Sequence, residues 1–142
     1  TSTTTTALSS SLSPGNPNFI ISSSTPYDWI NPQTSYLWQG VNGINNPCPT
    51  GFRLPTMAEF EFEYLSWGSS SGAGSNAFTS PLKLTCAGNR VGTLSGVGLS
   101  GCYWTSTFSG ISSRSLYFNT TSSVSIVFSQ RVSGYSVRCI KN

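Results

Sequence analysis

The C-terminal third limits the fold most tightly. Between residues 103 and 141, "YWTSTF", "SRSLYFN", "SVSIVFSQR" and "GYSVRCIK" each alternate apolar and polar residues. Side chains along a strand point to opposite faces in turn, so this period of two predicts strands. Leu116 and Phe118 share one face, as do Val124, Ile126 and Phe128. The opposite faces carry Ser113, Ser115, Tyr117 and Asn119 on one strand and Ser123, Ser125, Val127 and Ser129 on the next. "NTTS" at 119–122 has the composition of a hairpin tip.

One segment has a helical period instead. Within "PTMAEFEFEYLSWG", Met57, Phe60, Tyr64 and Trp67 fall at i, i+3, i+7 and i+10, which predicts a helix over about 57–67 with one apolar stripe. Thr56 and Glu59 are spaced as a capping box, and Gly68 is a natural stop. Three of the four carboxylates, Glu59, Glu61 and Glu63, lie in this segment. Glu59 and Glu63 sit away from the stripe and Glu61 flanks it. The cluster therefore reads as a cap and a solvated face, not as a reaction centre.

The rest is loop-rich. Residues 26–50 mix aromatics with Asn, Gly and Pro, so Trp29 and Trp38 are expected to be core plugs under irregular loops. Residues 68–101 are rich in glycine and serine, with short apolar pieces at Phe78, Leu82 and Leu84. Residues 1–25 are a Ser/Thr-rich arm broken by Pro14 and Pro17, in which "NFII" alone looks like a strand. The expected organisation is this arm followed by one domain over 26–142. A polar arm gains little from burial, so its own domain or a neighbouring copy must hold it; strand addition to a neighbour would make a homo-oligomer through residues 1–25.

Composition narrows the class. Charged residues are 8% of the chain, against about 25% in an ordinary soluble domain, while aromatics are 13%. That much aromatic surface argues against disorder, and the low charge suits an extracellular or virion protein. The net charge is +3, but Arg53, Arg90, Arg114, Arg131 and Arg138 form no run, which argues against nucleic acid. No apolar stretch approaches the roughly 20 residues of a membrane span. The chain shows no signal peptide and does not begin with Met, as a processed chain or a piece of a longer one would. Four cysteines permit three pairings. In an exported protein two disulfides are expected: Cys86–Cys102, closing a glycine-rich loop, and Cys48–Cys139, tying the start of the domain to its end. Free buried thiols are the alternative.

"NPCPTGFRLPTMAEFEFE", then "YWTST", then "GYSVRC" occur in an order that resembles the Fibrobacter succinogenes major paralogous domain. That family is found in exported proteins of Bacteroidetes-type bacteria and their phages. It belongs to the C-type-lectin-like group and is related to formylglycine-generating-enzyme domains, whose "RLPTEAEWEYA" segment is similar. The resemblance covers residues 26–142. It implies an α+β, C-type-lectin-like fold: a small twisted antiparallel sheet, one main helix and long disulfide-stapled loops. It also implies that Trp104 and Gly134–Cys139 build the central sheet and that Cys48 lies close to Cys139. The Glu-Pro-Asn or Gln-Pro-Asp triplet of calcium-dependent lectins is absent, and the active-site cysteines of the formylglycine-generating enzymes have no match here.

Function follows from what remains. With no histidine, the commonest general base and metal ligand is missing, and no enzyme is expected. No cofactor is expected either; Asp28 with carbonyls of the Asn-rich loop would make at most a weak calcium site. The candidate binding surface is the outward face of the C-terminal hairpin: Ser115, Tyr117, Asn119, Ser123, Ser125, Ser129 and Arg131, residue types that adaptable binding surfaces favour. Asn119-Thr120-Thr121 also matches a glycosylation sequon. Two readings follow. One is a recognition or adhesion module on a cell surface, appendage or phage fibre, binding a surface glycan or protein receptor. The other is a structural subunit of a filament or virion, with the arm contacting its neighbour.

Overall fold

The computed structural model describes residues 3–68, 72–121 and 123–142. The first two residues of the arm, part of the glycine- and serine-rich stretch and Ser122 of the hairpin tip lie outside the described residues. In chain order the elements are β1 (Thr4–Thr5), β2 (Phe19–Ile20), β3 (Phe52–Arg53), α1 (Met57–Leu65), α2 (Ala73–Thr79), β4 (Asn89–Val91), β5 (Thr93–Ser95), β6 (Ser100–Ser109), β7 (Ser112–Asn119), β8 (Val124–Ser129) and β9 (Ile140–Lys141). The fold is mixed α+β, built of small, mostly antiparallel sheets, two helices and one disulfide.

The alternating segments form the meander β6–β7–β8. Its register sets Tyr103 opposite Leu116 and Leu116 opposite Ile126, and places Phe118 between Gly101 and Val124. These residues form one apolar face, onto which α1 lays the expected stripe: Phe60 is fully buried, and Tyr64 and Trp67 pack beside it. Trp67 meets Phe118 edge-on at 5.9 Å, and Tyr103 stacks on it at 6.0 Å. Gly101 makes this possible, because a Cβ there would come within 2.3 Å of the Phe118 ring. Thr56 and Glu59 form the expected capping box at the start of α1.

The helix docks on a β-bulge in β6 between Trp104 and Phe108. The hydroxyl of Thr107 accepts from the Met57 N–H at 3.0 Å, Ser106 N–H donates to Pro55 at 2.7 Å, and Gln39 donates to Ser106 at 2.8 Å. One irregularity thus fixes both the helix and the loop layer of residues 26–50.

Three features differ from expectation. The stretch after α1 holds a second helix, α2, and a hairpin, β4–β5. "AGSNAFT" has little helix propensity, so tertiary packing forms α2: Ala73, Gly74 and Ala77 are buried, and Gly74 lies so close to Thr120 and Cys86 that a Cβ would meet them at 3.1 and 3.2 Å. Gly134–Cys139 forms no ladder. It runs beside β6 through one parallel bridge, Ser136 to Tyr103, before β9 pairs with β3. Cys48–Cys139 forms as expected, whereas Cys86 and Cys102 are free thiols. The reason is alternation: Cys86 packs with the apolar core beside Tyr103, while Cys102, the next residue along β6, points to the opposite face. The arm lies on its own chain, one of the two placements expected for it. β1 pairs with β2 in parallel, Ser9 bonds Trp29 and Asn31 at 2.9 Å, and the Phe19 ring sits against Gly134 with the Arg90 guanidinium 4.3 Å from its centre.

Candidate binding site

The second face of the meander carries Cys102, Trp104, Ser113, Ser115, Tyr117, Ser125 and Ser129. It was expected to face outward, but most of it is covered. Ser115 is fully buried, and Ser129 and Arg131 are 6% and 5% exposed. Ser115 and Ser129 share a hydrogen bond of 2.7 Å, which satisfies both hydroxyls away from water. None of the three lies on an open outward surface, and Ser115 and Ser129 are interior groups. The cause is the loop layer of residues 26–50, whose apolar members Ile30 and Leu37 are buried.

The remaining four candidates lie towards the hairpin tip, where the cover ends. Tyr117 sits opposite Ser125, and both are half-buried, while Ser123 is exposed. The Asn119 side chain serves the turn itself: its Oδ1 accepts from the Thr121 N–H and hydroxyl and from the Ser123 N–H at 3.0–3.1 Å.

Beneath the loop layer lies a buried ion pair. Arg131 Nη1 is 3.5 Å from Asp28 Oδ2, with both side chains 1% exposed. Asp28 Oδ1 accepts from the Trp29 N–H at 2.8 Å, and Oδ2 accepts from Gln33 at 2.8 Å. With both oxygens engaged and a guanidinium beside it, Asp28 is placed as a counter-ion to Arg131. Arg131 donates from Nη1 to Thr34 O at 3.2 Å, and from Nη2 to Gly110 O at 3.0 Å and Ser35 Oγ at 3.4 Å. Burial lowers the Arg131 pKa, and the Asp28 charge opposes that shift.

Above this pair opens a cleft of about 270 Å³ between the loop layer and the sheet. Trp29, Trp38 and Trp104 form its walls together with Asn45, Ser113 and Arg131. Tyr135 stacks on Trp104 at 4.5 Å and holds that indole in place. The Arg131 guanidinium carbon lies 5.9 Å from the Trp38 ring centre. Two buried polar atoms of the lining, Ser113 Oγ and Arg131 Nε, have no protein hydrogen-bond partner. Trp67 donates its indole N–H to Glu63, but no such bond engages Trp29, Trp38 or Trp104 among the described residues. Sequence reasoning missed this site because Trp29 and Trp38 read as core plugs. The available signal was two tryptophans placed among turn residues.

Away from the cleft, an ion pair anchors the start of α1. Arg53 grips Glu59 with two bonds of 2.7 and 2.8 Å, and this contact, aided by the Thr56 N–H and hydroxyl, lowers the Glu59 pKa to about 2. Burial raises the pKa of both free thiols, which keeps them protonated and unreactive. No helix among the described residues is long and apolar enough to cross a membrane. No family model, curated protein or solved structure matches the chain.

Proposed function

We propose that this chain is a non-enzymatic, extracellular recognition module of C-type-lectin-like fold, carried on a bacterial surface appendage or phage fibre. Its binding site is the tryptophan cleft. One observation carries the reading: three half-buried indoles surround buried polar atoms of Ser113 and Arg131 that no protein group satisfies. Protein interiors pair the large majority of such atoms, so two unpaired ones in the wall of one aromatic cleft fit a place where a ligand supplies the partner. The ion pair beneath stiffens the floor, and the bulge and Gln39 fix the loop layer, so the walls are held before any ligand arrives.

The arm supports the same reading, since its β1–β2 pair and its contacts to Trp29, Asn31 and Gly134 are made within one chain. An assembling subunit is the second reading, favoured by the exposure of Val91, Leu94, Val97 and Leu99 on and beside the β4–β5 hairpin, at 55–67%. Binding of the labelled full chain to arrays of surface glycans and surface proteins tests the proposal, with light scattering on the same samples. Binding by a monomer that is lost in Trp38→Ala supports recognition. Concentration-dependent assembly without binding transfers the assignment to the structural subunit.

A further inference from the structure

The chemistry of the cleft selects among ligand classes. A cation, such as a quaternary ammonium held by aromatic faces, would find no counter-charge, because no carboxylate lines the cleft and the nearby Asp28 is already paired with Arg131. An anion would need net positive charge, but Arg131 is already balanced by Asp28 at 3.5 Å, and its two terminal nitrogens are spent on Thr34, Ser35 and Gly110. That leaves one nitrogen, Nε, without a partner, and a single donor does not make a fork for a carboxylate or phosphate. What the cleft offers is neutral and two-sided: indole faces for apolar C–H groups, and scattered donors and acceptors at Ser113 Oγ, Arg131 Nε and the indole N–H groups.

We infer that the cleft takes one ring of a neutral saccharide, without a metal ion. This rests on the proposed recognition function. A pyranose ring has one face rich in C–H bonds, whose partial positive charge meets the negative face of an indole, and a rim of hydroxyls that both donate and accept. A volume of about 270 Å³ lies just below the range for drug-sized ligands, about 300–1,000 Å³, and so fits one ring with the rest of a chain outside. Ser113 Oγ and Arg131 Nε then pair with ring hydroxyls, and the buried polar atoms of the lining are satisfied.

The test is a titration of the full chain with glucose, galactose, mannose and N-acetylglucosamine in the presence of EDTA. It is read by tryptophan emission and saturation-transfer NMR, with sialic acid and choline as charged comparisons. The expected result is binding of at least one neutral sugar that Ser113→Ala weakens roughly fivefold to tenfold, the worth of one hydrogen bond. Ser113→Ala should melt no lower than the parent, because it removes an unpaired buried hydroxyl, so a loss of binding cannot be a loss of fold. Trp29→Phe, which keeps an aromatic wall, should weaken binding as well. Binding of sialic acid or choline alone overturns the ligand class but leaves the cleft as a recognition site. Sugar binding that survives Ser113→Ala and Trp29→Phe but is lost in Tyr117→Ala moves the site to the hairpin tip and overturns the cleft. If neutral sugars fail while the arrays give a cleft-dependent protein receptor, the saccharide inference falls and the recognition reading stands. If both fail, both fall.

Discussion

The two faces of the β6–β7–β8 meander are buried by different means. On the helix side Phe60, Leu116 and Phe118 close a core made mostly of aliphatic and aromatic side chains. On the loop side the sheet presents Ser113, Ser115 and Ser129, and burial there depends on specific pairs: Ser115 with Ser129, and Arg131 with Asp28. The first kind of burial is driven by area removed from water and tolerates approximate fits. The second gains little from area and loses some stability wherever a partner is missing. A face held in the second way can leave a cleft open at modest cost, and the tryptophan cleft lies on that side.

The disulfide gives the largest test of this contrast. Cys48 and Cys139 are 91 residues apart in sequence, next to Pro47 and near Val137 of the cleft lining. Closing a loop of that length stabilises by about 4–5 kcal/mol in the chain-entropy model. Reduction should lower the urea midpoint accordingly and shift tryptophan emission, since the tie serves the loop side. Thiol titration of the unreduced, unfolded chain should find two free thiols; none would restore a Cys86–Cys102 bridge. On the helix side, Phe118→Ala should cost about 3–5 kcal/mol by leaving a cavity between Trp67 and Tyr103. Ser115→Ala, three residues before it on β7 and on the other face of the sheet, opposite Trp104, should cost only about 1 kcal/mol, through the lost partner of Ser129. Equal costs at the two positions would erase the distinction.

Much of the helix side was legible in the sequence. The spacing of Met57, Phe60, Tyr64 and Trp67 gave the stripe, Thr56 and Glu59 gave the cap, and the alternation around Leu116 and Phe118 gave the face it covers. The loop side was not. Alternation tells which residues share a face, but not whether water or another layer meets it, so Ser115, Ser129 and Arg131 read as solvated. The same rule, carried one step further, would have separated Cys86 from Cys102, since Tyr103 belongs to the core and its neighbour must point away. α2 was invisible for a different reason: its small residues matter for the closeness they allow, and Gly74 against Cys86 is a tertiary fact.

Two ion pairs carry the contrast down to single charges. Asp28→Asn leaves the Arg131 guanidinium buried beside a neutral amide and should cost about 3 kcal/mol in urea unfolding, with little change between low and high salt because solvent ions do not reach the pair. Arg53–Glu59 is wetter, with the Glu59 side chain 38% exposed, and its worth after solvent screening is about 1 kcal/mol. Its signature is acid dependence. The Glu59 pKa is lowered from the ordinary 4.5 to about 2, so its contribution is fully present above the unfolded value and drains away as pH falls from 4.5 through 2. Arg53→Gln removes the leading cause of that shift and should flatten the acid limb of stability against pH, and high salt should flatten it in the parent as well. An acid limb unchanged by Arg53→Gln would mean that the Thr56 cap alone holds the carboxylate, and that the helix side has no need of this ion pair.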